Sequence, residues 1–253
     1  MAHPPADHRR EGDRVPDDVS FRVRQDDDWS VVHGKALFEK QNVIVFSLPG
    51  AFTPTCSSAH LPRYQELAPK FRELGIDTIA CVAVNDPFVM AEWARDQHCD
   101  EIVMLPDGNG DFTRQMGLMV DQRELGFGDR AWRYAMLVRD GVIDKLFIEP
   151  DRDGDPFEVS DADTMLRHLA PDAQAPDAVA VLSRPGCPFC AKAKKMLQDA
   201  GVAFVDVPLD AAVRSRALSA IAGEATVPQV FVNGSRIGGS EDVERWLAAR
   251  AAA

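Results

Sequence analysis

The chain has 253 residues, enough for one or two domains with sizeable cores, and a formal net charge of −12. So acidic a surface argues against a nucleic-acid partner, which needs basic patches, and nothing in the sequence points to a membrane role. Five cysteines, an odd number without an export signal, fit a reducing cytoplasm in which thiols react rather than staple.

Met1 to Arg14 mixes His3, Asp7, His8, Arg9, Arg10, Glu11, Asp13 and Arg14 with no apolar central run. It reads as neither a signal peptide nor a spanning helix, and a disordered leader over 1–14 is expected. From Val15 to Leu37, alternation at Val19, Phe21 and Val23 predicts strand, turn, strand, with Asp26-Asp27-Asp28 in the turn. Asn42 to Phe46 is a short, continuously apolar run of the kind buried inside a sheet, broken by Pro49, Gly50 and Pro54. From Thr55 the period turns helical, through Leu61, Tyr64, Leu67, Ala68 and Phe71. Cys56 therefore falls in a first helical turn, where unpaired N–H groups and the dipole favour an anion, and a thiol placed there ionises more readily. Thr53 stands three residues earlier, able to accept or donate a hydrogen bond at the sulfur. His60, four residues on, shares that helical face. Its ring either takes the thiol proton or is tied to neighbouring backbone.

Ile76 to Asn85 predicts a second buried strand, and Asp86-Pro87 starts a helix with Val89, Met90 and Trp93 on its apolar side. Cys81, mid-strand, and Cys99, near a helix end, read as buried or half-buried small side chains. A strand over Ile102 to Leu105, a turn over Pro106 to Gly110 and a short helix over Asp111 to Met116 follow. Arg133 to Val138 and Val142 to Ile148, joined through Arg139-Asp140-Gly141, predict a hairpin, and Asp161 to Leu169 a closing helix. The small, proline-bearing stretch after Leu169 makes 171–177 a linker.

Beyond it, the strand Ala178 to Leu182 leads through Ser183-Arg184-Pro185-Gly186 into Cys187-Pro188-Phe189-Cys190 and a helix over Ala191 to Gly201. Cys-x-x-Cys behind a strand and at a helix start is a redox motif. Cys187 takes the position that lowers a thiol pKa, with Arg184 and Lys192 adding positive potential, and Cys190 is poised to resolve a mixed disulfide. Zinc needs four ligands, and no second Cys-x-x-Cys or histidine pair accompanies this one. Thr226-Val227-Pro228 precedes a strand over Gln229 to Val232, and a cis Pro228 would leave the Val227 backbone free to pair with an extended peptide. Gly238-Gly239-Ser240-Glu241-Asp242 begins the last helix, where exposed N–H groups suit a carboxylate.

Pro49, Thr53 and Cys56 spell Pro-x-x-x-Thr-x-x-Cys. Pro-Gly-Ala-Phe-Thr-Pro-Thr-Cys-Ser, with His60-Leu61-Pro62 behind it, resembles the active-site stretch of type II, or fifth-class, peroxiredoxins. The second half resembles a glutaredoxin from Ala178 to about Arg250, departing at Phe189, Arg184 and Glu241, where tyrosine, lysine and aspartate are usual. The order of the two resembles the bacterial peroxiredoxin–glutaredoxin hybrids. That resemblance implies an α/β fold of two thioredoxin-like domains, a peroxiredoxin domain over 15–170 and a glutaredoxin domain over 178–253. It implies glutathione-dependent reduction of hydrogen peroxide and alkyl hydroperoxides, with Cys56, Thr53, Arg133, Cys187 and Cys190 catalytic. Pro49, His60 and Arg130 would support the peroxide site. The residues alone do not separate Arg133 from Arg130; the resemblance favours Arg133 as the contact to the sulfur. Glutathione would lie on Arg184, Phe189, Thr226, Val227, Pro228, Gly239, Ser240 and Glu241, as a co-substrate, with no tightly bound cofactor. A cytoplasmic homo-oligomer, dimer or tetramer, is expected.

Some type II relatives carry a resolving cysteine between the hairpin and the last helix, and Pro156 to Asp161 here has none. The reductant must come from elsewhere, and the route the resemblance implies is that glutathione condenses with oxidised Cys56 and Cys187 then removes the glutathionyl group. If the linker spans the gap, tethering would hold Cys187 at roughly millimolar effective concentration; so short a linker would otherwise let it serve a neighbouring subunit. Two alternatives stay open, a general thiol-disulfide oxidoreductase acting through the second domain alone and a non-enzymatic redox sensor or holdase.

Overall fold

The computed structural model describes residues 6–25, 28–152, 154–173, 176–209 and 215–251, and the chain divides into two compact units, Met1–Ala175 and Pro176–Ala253. In the first, β1 (Ser20–Gln25) and β2 (Asp28–His33) pair antiparallel, and α1 (Gly34–Phe38) leads into β3 (Asn42–Ser47). The expected acidic turn falls partly on residues 26–27, outside the described residues. Then come α2 (Leu61–Glu73), β4 (Thr78–Ala83), α3 (Pro87–Asp96), β5 (Val103–Pro106), α4 (Asp111–Met116), β6 (Met119–Asp121), β7 (Asp129–Ala131), β8 (Tyr134–Arg139), β9 (Val142–Ile148) and α5 (Ala162–Leu169).

The main sheet runs β5-β4-β3-β8-β9, parallel across its first three strands and antiparallel from β3 to β8 to β9. β3 is central and sends alternate side chains to opposite faces. Ile44 and Phe46 pack with Tyr64, Phe71 and Trp93 on one side, and Val43 and Val45 with Phe21, Phe38 and Phe112 on the other. Covered on both faces, such a strand carries a continuous apolar run rather than an alternating one. The β8–β9 hairpin closes at Asp140 and Gly141, with φ of 48° and 75°, the doubly left-handed turn that an Asp-Gly pair suits.

The expected disordered leader is corrected for residues 6–14. Arg9 N–H donates to the Met116 carbonyl at 2.9 Å, Gly12 N–H to Ile143 at 2.8 Å, and Arg14 bridges Val142. Backbone pairing holds this stretch, so its polar side chains gave no sign of it. Residues 1–5 lie outside the described residues.

The second unit contains β10 (Val179–Ser183), α6 (Pro188–Asp199), β11 (Val205–Pro208), α7 (Ser215–Ala222), β12 (Gln229–Val232), β13 (Ser235–Gly238) and α8 (Ser240–Ala251). Its sheet runs β11-β10-β12-β13, with only β10 and β11 parallel. Val179, Val181, Val230 and Val232 meet Leu197 and Val243 in its core. Of the expected linker, Ala173 packs on the first unit's core, Asp177 hydrogen-bonds Asn233 in the second, and residues 174–175 lie outside the described residues. Among the described residues no helix is long and apolar enough to cross a membrane.

Candidate active site

After β3 the chain turns through Pro49 to Thr53, with the Ala51 N–H anchored on Asn85 Oδ1 at 3.0 Å. Cys56 opens a single π-helical turn, Cys56–His60, that runs on into α2, its carbonyl accepting from Leu61. The Cys56 thiol is buried, and Pro49 and Thr53 on the turn before it are half-buried. Thr53 Oγ1 donates its proton to the Gly50 carbonyl at 2.8 Å. The sequence left Thr53 either role toward the sulfur; with its proton so committed, it offers lone pairs only.

Arg133, the residue before β8, is 2% exposed and is the arginine that reaches Cys56. Its Nη1 stands 3.5 Å from Cys56 Sγ and donates to His60 Nδ1 at 2.9 Å. Nη2 meets both oxygens of Asp155, at 2.5 and 2.7 Å. Arg130 instead donates to the Val84 carbonyl. His60 has both ring nitrogens engaged, since Nε2–H donates to the Ser160 carbonyl at 3.2 Å while Nδ1 accepts from Arg133. Burial, and then the adjacent guanidinium, hold the His60 pKa well below its usual value, so the ring stays neutral and orients Arg133 rather than taking a proton.

The segment after β9 closes this site and was not singled out as part of it from the sequence. Phe157 lies over the Arg133 guanidinium, 5.4 Å from ring centre to Cζ, and against the His60 ring at 4.9 Å. Ser160 offers its carbonyl to both His60 and Tyr64. The anchor is Glu149, itself buried, whose carboxylate accepts from the N–H groups of Glu158, Val159 and Ser160 and from Ser160 Oγ, at 2.7 to 3.0 Å. Replacing Glu149 by alanine orphans all four donors. The first unit is expected to lose about 3 kcal/mol or more, measured by urea unfolding followed through the near-ultraviolet signal of its tryptophans. A loss within about 0.5 kcal/mol, the range of a neutral surface change, would contradict the anchoring role.

In the second unit, Cys187 caps α6, its Sγ accepting from the Cys190 N–H at 3.3 Å. Burial alone would raise its pKa, but the Cys190 thiol, the Cys190 and Phe189 N–H groups and the Arg184 charge overcome this and lower it. Cys190, buried one turn on, is pushed up to about 11 by burial and by its neighbour. Lys192, expected to add positive potential, pairs instead with Glu244 at 3.3 Å. Iodoacetamide at neutral pH is expected to label Cys187 well before Cys190, checked by peptide mass spectrometry, and equal labelling would contradict this asymmetry.

The Val227–Pro228 bond is cis, and the Val227 carbonyl lies 3.8 Å from Cys187 Sγ. Phe189 is exposed, and Thr226 is exposed with its carbonyl taken by Gln229. At the start of α8, Glu241 is exposed and Ser240 buried, but the Gly239 N–H is not open to a ligand as expected. It donates to the chain's own Asp242 at 2.8 Å. Both cysteines and Arg184 line a cleft of about 350 Å³ together with Ser183, Lys194 and Asp206, which are joined by hydrogen bonds of 2.6 and 2.7 Å. All five cysteines are free thiols, and among the described residues no cluster of three or more His, Cys, Asp or Glu could hold a metal.

The redoxin family model matches residues 10–166 and the glutaredoxin model residues 179–237. The chain is 54% identical over 238 residues to hybrid peroxiredoxin hyPrx5 of Haemophilus influenzae, covering 94% of this chain and 98% of that protein. It is 50% identical over 177 residues to peroxiredoxin sll1621 of Synechocystis, covering 65% of this chain and 93% of the relative. The crystal structure of reduced Prx3 from Vibrio vulnificus in complex with hydrogen peroxide matches with a TM-score of 0.59 and 40% identity, over 64% of this chain and 99% of that one.

Proposed function

We propose that in this chain, which belongs to the redoxin family as a peroxiredoxin with a glutaredoxin domain fused behind it, Cys56 is the sulfur that peroxide oxidises and Cys187 the sulfur that restores it. The protein is a peroxidase with glutathione-linked regeneration. Its substrates are hydrogen peroxide and alkyl hydroperoxides, and its setting a cytoplasmic homo-oligomer, dimer or tetramer.

The observation that carries this reading is the contact of a buried guanidinium with a buried thiol, Arg133 Nη1 to Cys56 Sγ at 3.5 Å, at the head of a helix. The Cys56 thiolate attacks the nearer peroxide oxygen, the O–O bond breaks, and its electron pair leaves on the farther oxygen, which takes a proton and departs as water or alcohol. Arg133 stabilises the charge that builds on the departing oxygen. Its Nε–H, buried and without a partner among the described residues, is a further donor for that oxygen. Thr53 Oγ1 accepts from the peroxide hydroxyl. Cys56, now a sulfenic acid, condenses with glutathione to a mixed disulfide and water. The Cys187 thiolate attacks the glutathione sulfur, releasing Cys56, and a second glutathione or Cys190 frees Cys187.

The test is steady-state peroxide loss with glutathione, glutathione reductase and NADPH, in the full chain and in Arg133→Met. The variant is expected to lose about 10²-fold in the rate of Cys56 oxidation, the scale of one transition-state donor, with the second unit's activity on a glutathionylated peptide unchanged. An Arg133→Met protein that oxidises at the parent rate would overturn the assignment.

A further inference from the structure

Arg133 meets the reacting sulfur through one end of its guanidinium, and what fixes that plane lies at the other end. Asp155 takes Nη2 with both carboxylate oxygens, at 2.5 and 2.7 Å, while His60 takes Nη1. Asp155 belongs to neither the strand edge bearing Arg133 nor the helix bearing Cys56. It sits on the segment after β9, with its side chain 42% exposed against 2% for Arg133. The acid is therefore the more exposed partner of a buried cation that touches Cys56, and its charge contributes to the field around that sulfur. Alone, the guanidinium would draw any anion toward Cys56; paired, it is neutral at long range and still offers N–H donors at short range.

We propose that Asp155 is a positioning and specificity residue: it holds Arg133 against Cys56 and, by its charge, makes the site favour uncharged hydroperoxides over anionic oxidants. The proposal rests on the reading of Cys56 as the peroxidatic sulfur. The chemistry is the same for both oxidant classes. The sulfur's electron pair takes the nearer oxygen, the O–O bond breaks, and its pair leaves on the farther oxygen, as water from hydrogen peroxide or as sulfate from peroxymonosulfate. Only the second oxidant brings a negative charge into the field of Asp155.

The experiment measures the single-turnover rate of Cys56 oxidation in the reduced full chain, by rapid quench and mass spectrometry of the Cys56 peptide, with hydrogen peroxide and with peroxymonosulfate. The variants are Asp155→Asn, Asp155→Glu, Asp155→Ala and, as a control for overall charge, Asp172→Asn, which changes an exposed acid. Asp155→Asn is expected to raise the ratio of the peroxymonosulfate rate to the hydrogen peroxide rate by roughly five- to tenfold, the scale of one partly screened unit charge several ångströms away. Asp155→Glu should restore the parent ratio and Asp172→Asn leave it unchanged. Asp155→Ala, which also frees the guanidinium to turn, should slow both oxidants by at least about tenfold. An Asp155→Asn ratio equal to that of Asp172→Asn, or an Asp155→Glu protein indistinguishable from Asp155→Asn, would overturn the proposal. Since each readout is a rate at Cys56, a Cys56→Ser protein that still consumes peroxide would signal instead that the underlying assignment is wrong.

Discussion

Cys56→Ser is expected to abolish peroxide consumption, lowering the rate by at least ~10⁴-fold, as removal of an essential nucleophile does. The substitution exchanges a sulfur for an oxygen of similar reach in a fully buried site, so Arg133 keeps an acceptor and the fold should hold. What disappears is nucleophilicity, because a serine hydroxyl does not ionise near neutral pH and His60 is not free to take its proton. His60 is neutral, but its two nitrogens are already held by Arg133 and Ser160. The second unit should be untouched, so Cys56→Ser protein still reduces a glutathionylated peptide at the parent rate. Loss of both activities, or of neither, would contradict the division of labour between the two units.

Cys187→Ser is expected to do the reverse. The first equivalent of peroxide is consumed at the parent rate, and turnover supported by glutathione then falls by ~10³-fold. Cys190 is not expected to substitute for it, since that thiol is buried one turn into α6, and burial, the largest cause of its raised pKa, persists when Cys187 is replaced. Stopped-flow measurement of the first turnover beside the coupled steady-state assay separates the two phases. A variant with parent steady-state rate would show that Cys56 is regenerated without the second unit.

Much of this was legible in the sequence because the signals are local. Pro87 after Asp86 starts α3, with the Asp86 side chain accepting from Phe88 and Val89, and Asp140-Gly141 sets its hairpin by dihedral preference alone. Cys56 and Cys187 at helix starts needed only the change of period behind them. What stayed hidden depends on contacts distant in sequence. A buried Arg133 requires a counter-charge. With 40 acidic residues to choose from, however, nothing local marks Asp155 or singles out Glu149 as the anchor of residues 158–160. The three-residue strands β6 and β7 are too short to show a period, and β11, mostly exposed, has no apolar stripe to betray it. The Gly239 N–H looked available from its glycine-rich turn, but a carboxylate three residues ahead fills that place first, which is ordinary capping chemistry.

The measurement that bears most directly on the route is mass spectrometry of Cys187→Ser protein treated with one equivalent of hydrogen peroxide in the presence of glutathione. The expected product is a glutathione adduct on Cys56, stalled because the sulfur that would remove it is gone. A disulfide from Cys56 to Cys81 or Cys99, or a glutathione adduct elsewhere with Cys56 unmodified, would contradict regeneration through glutathione and the second unit.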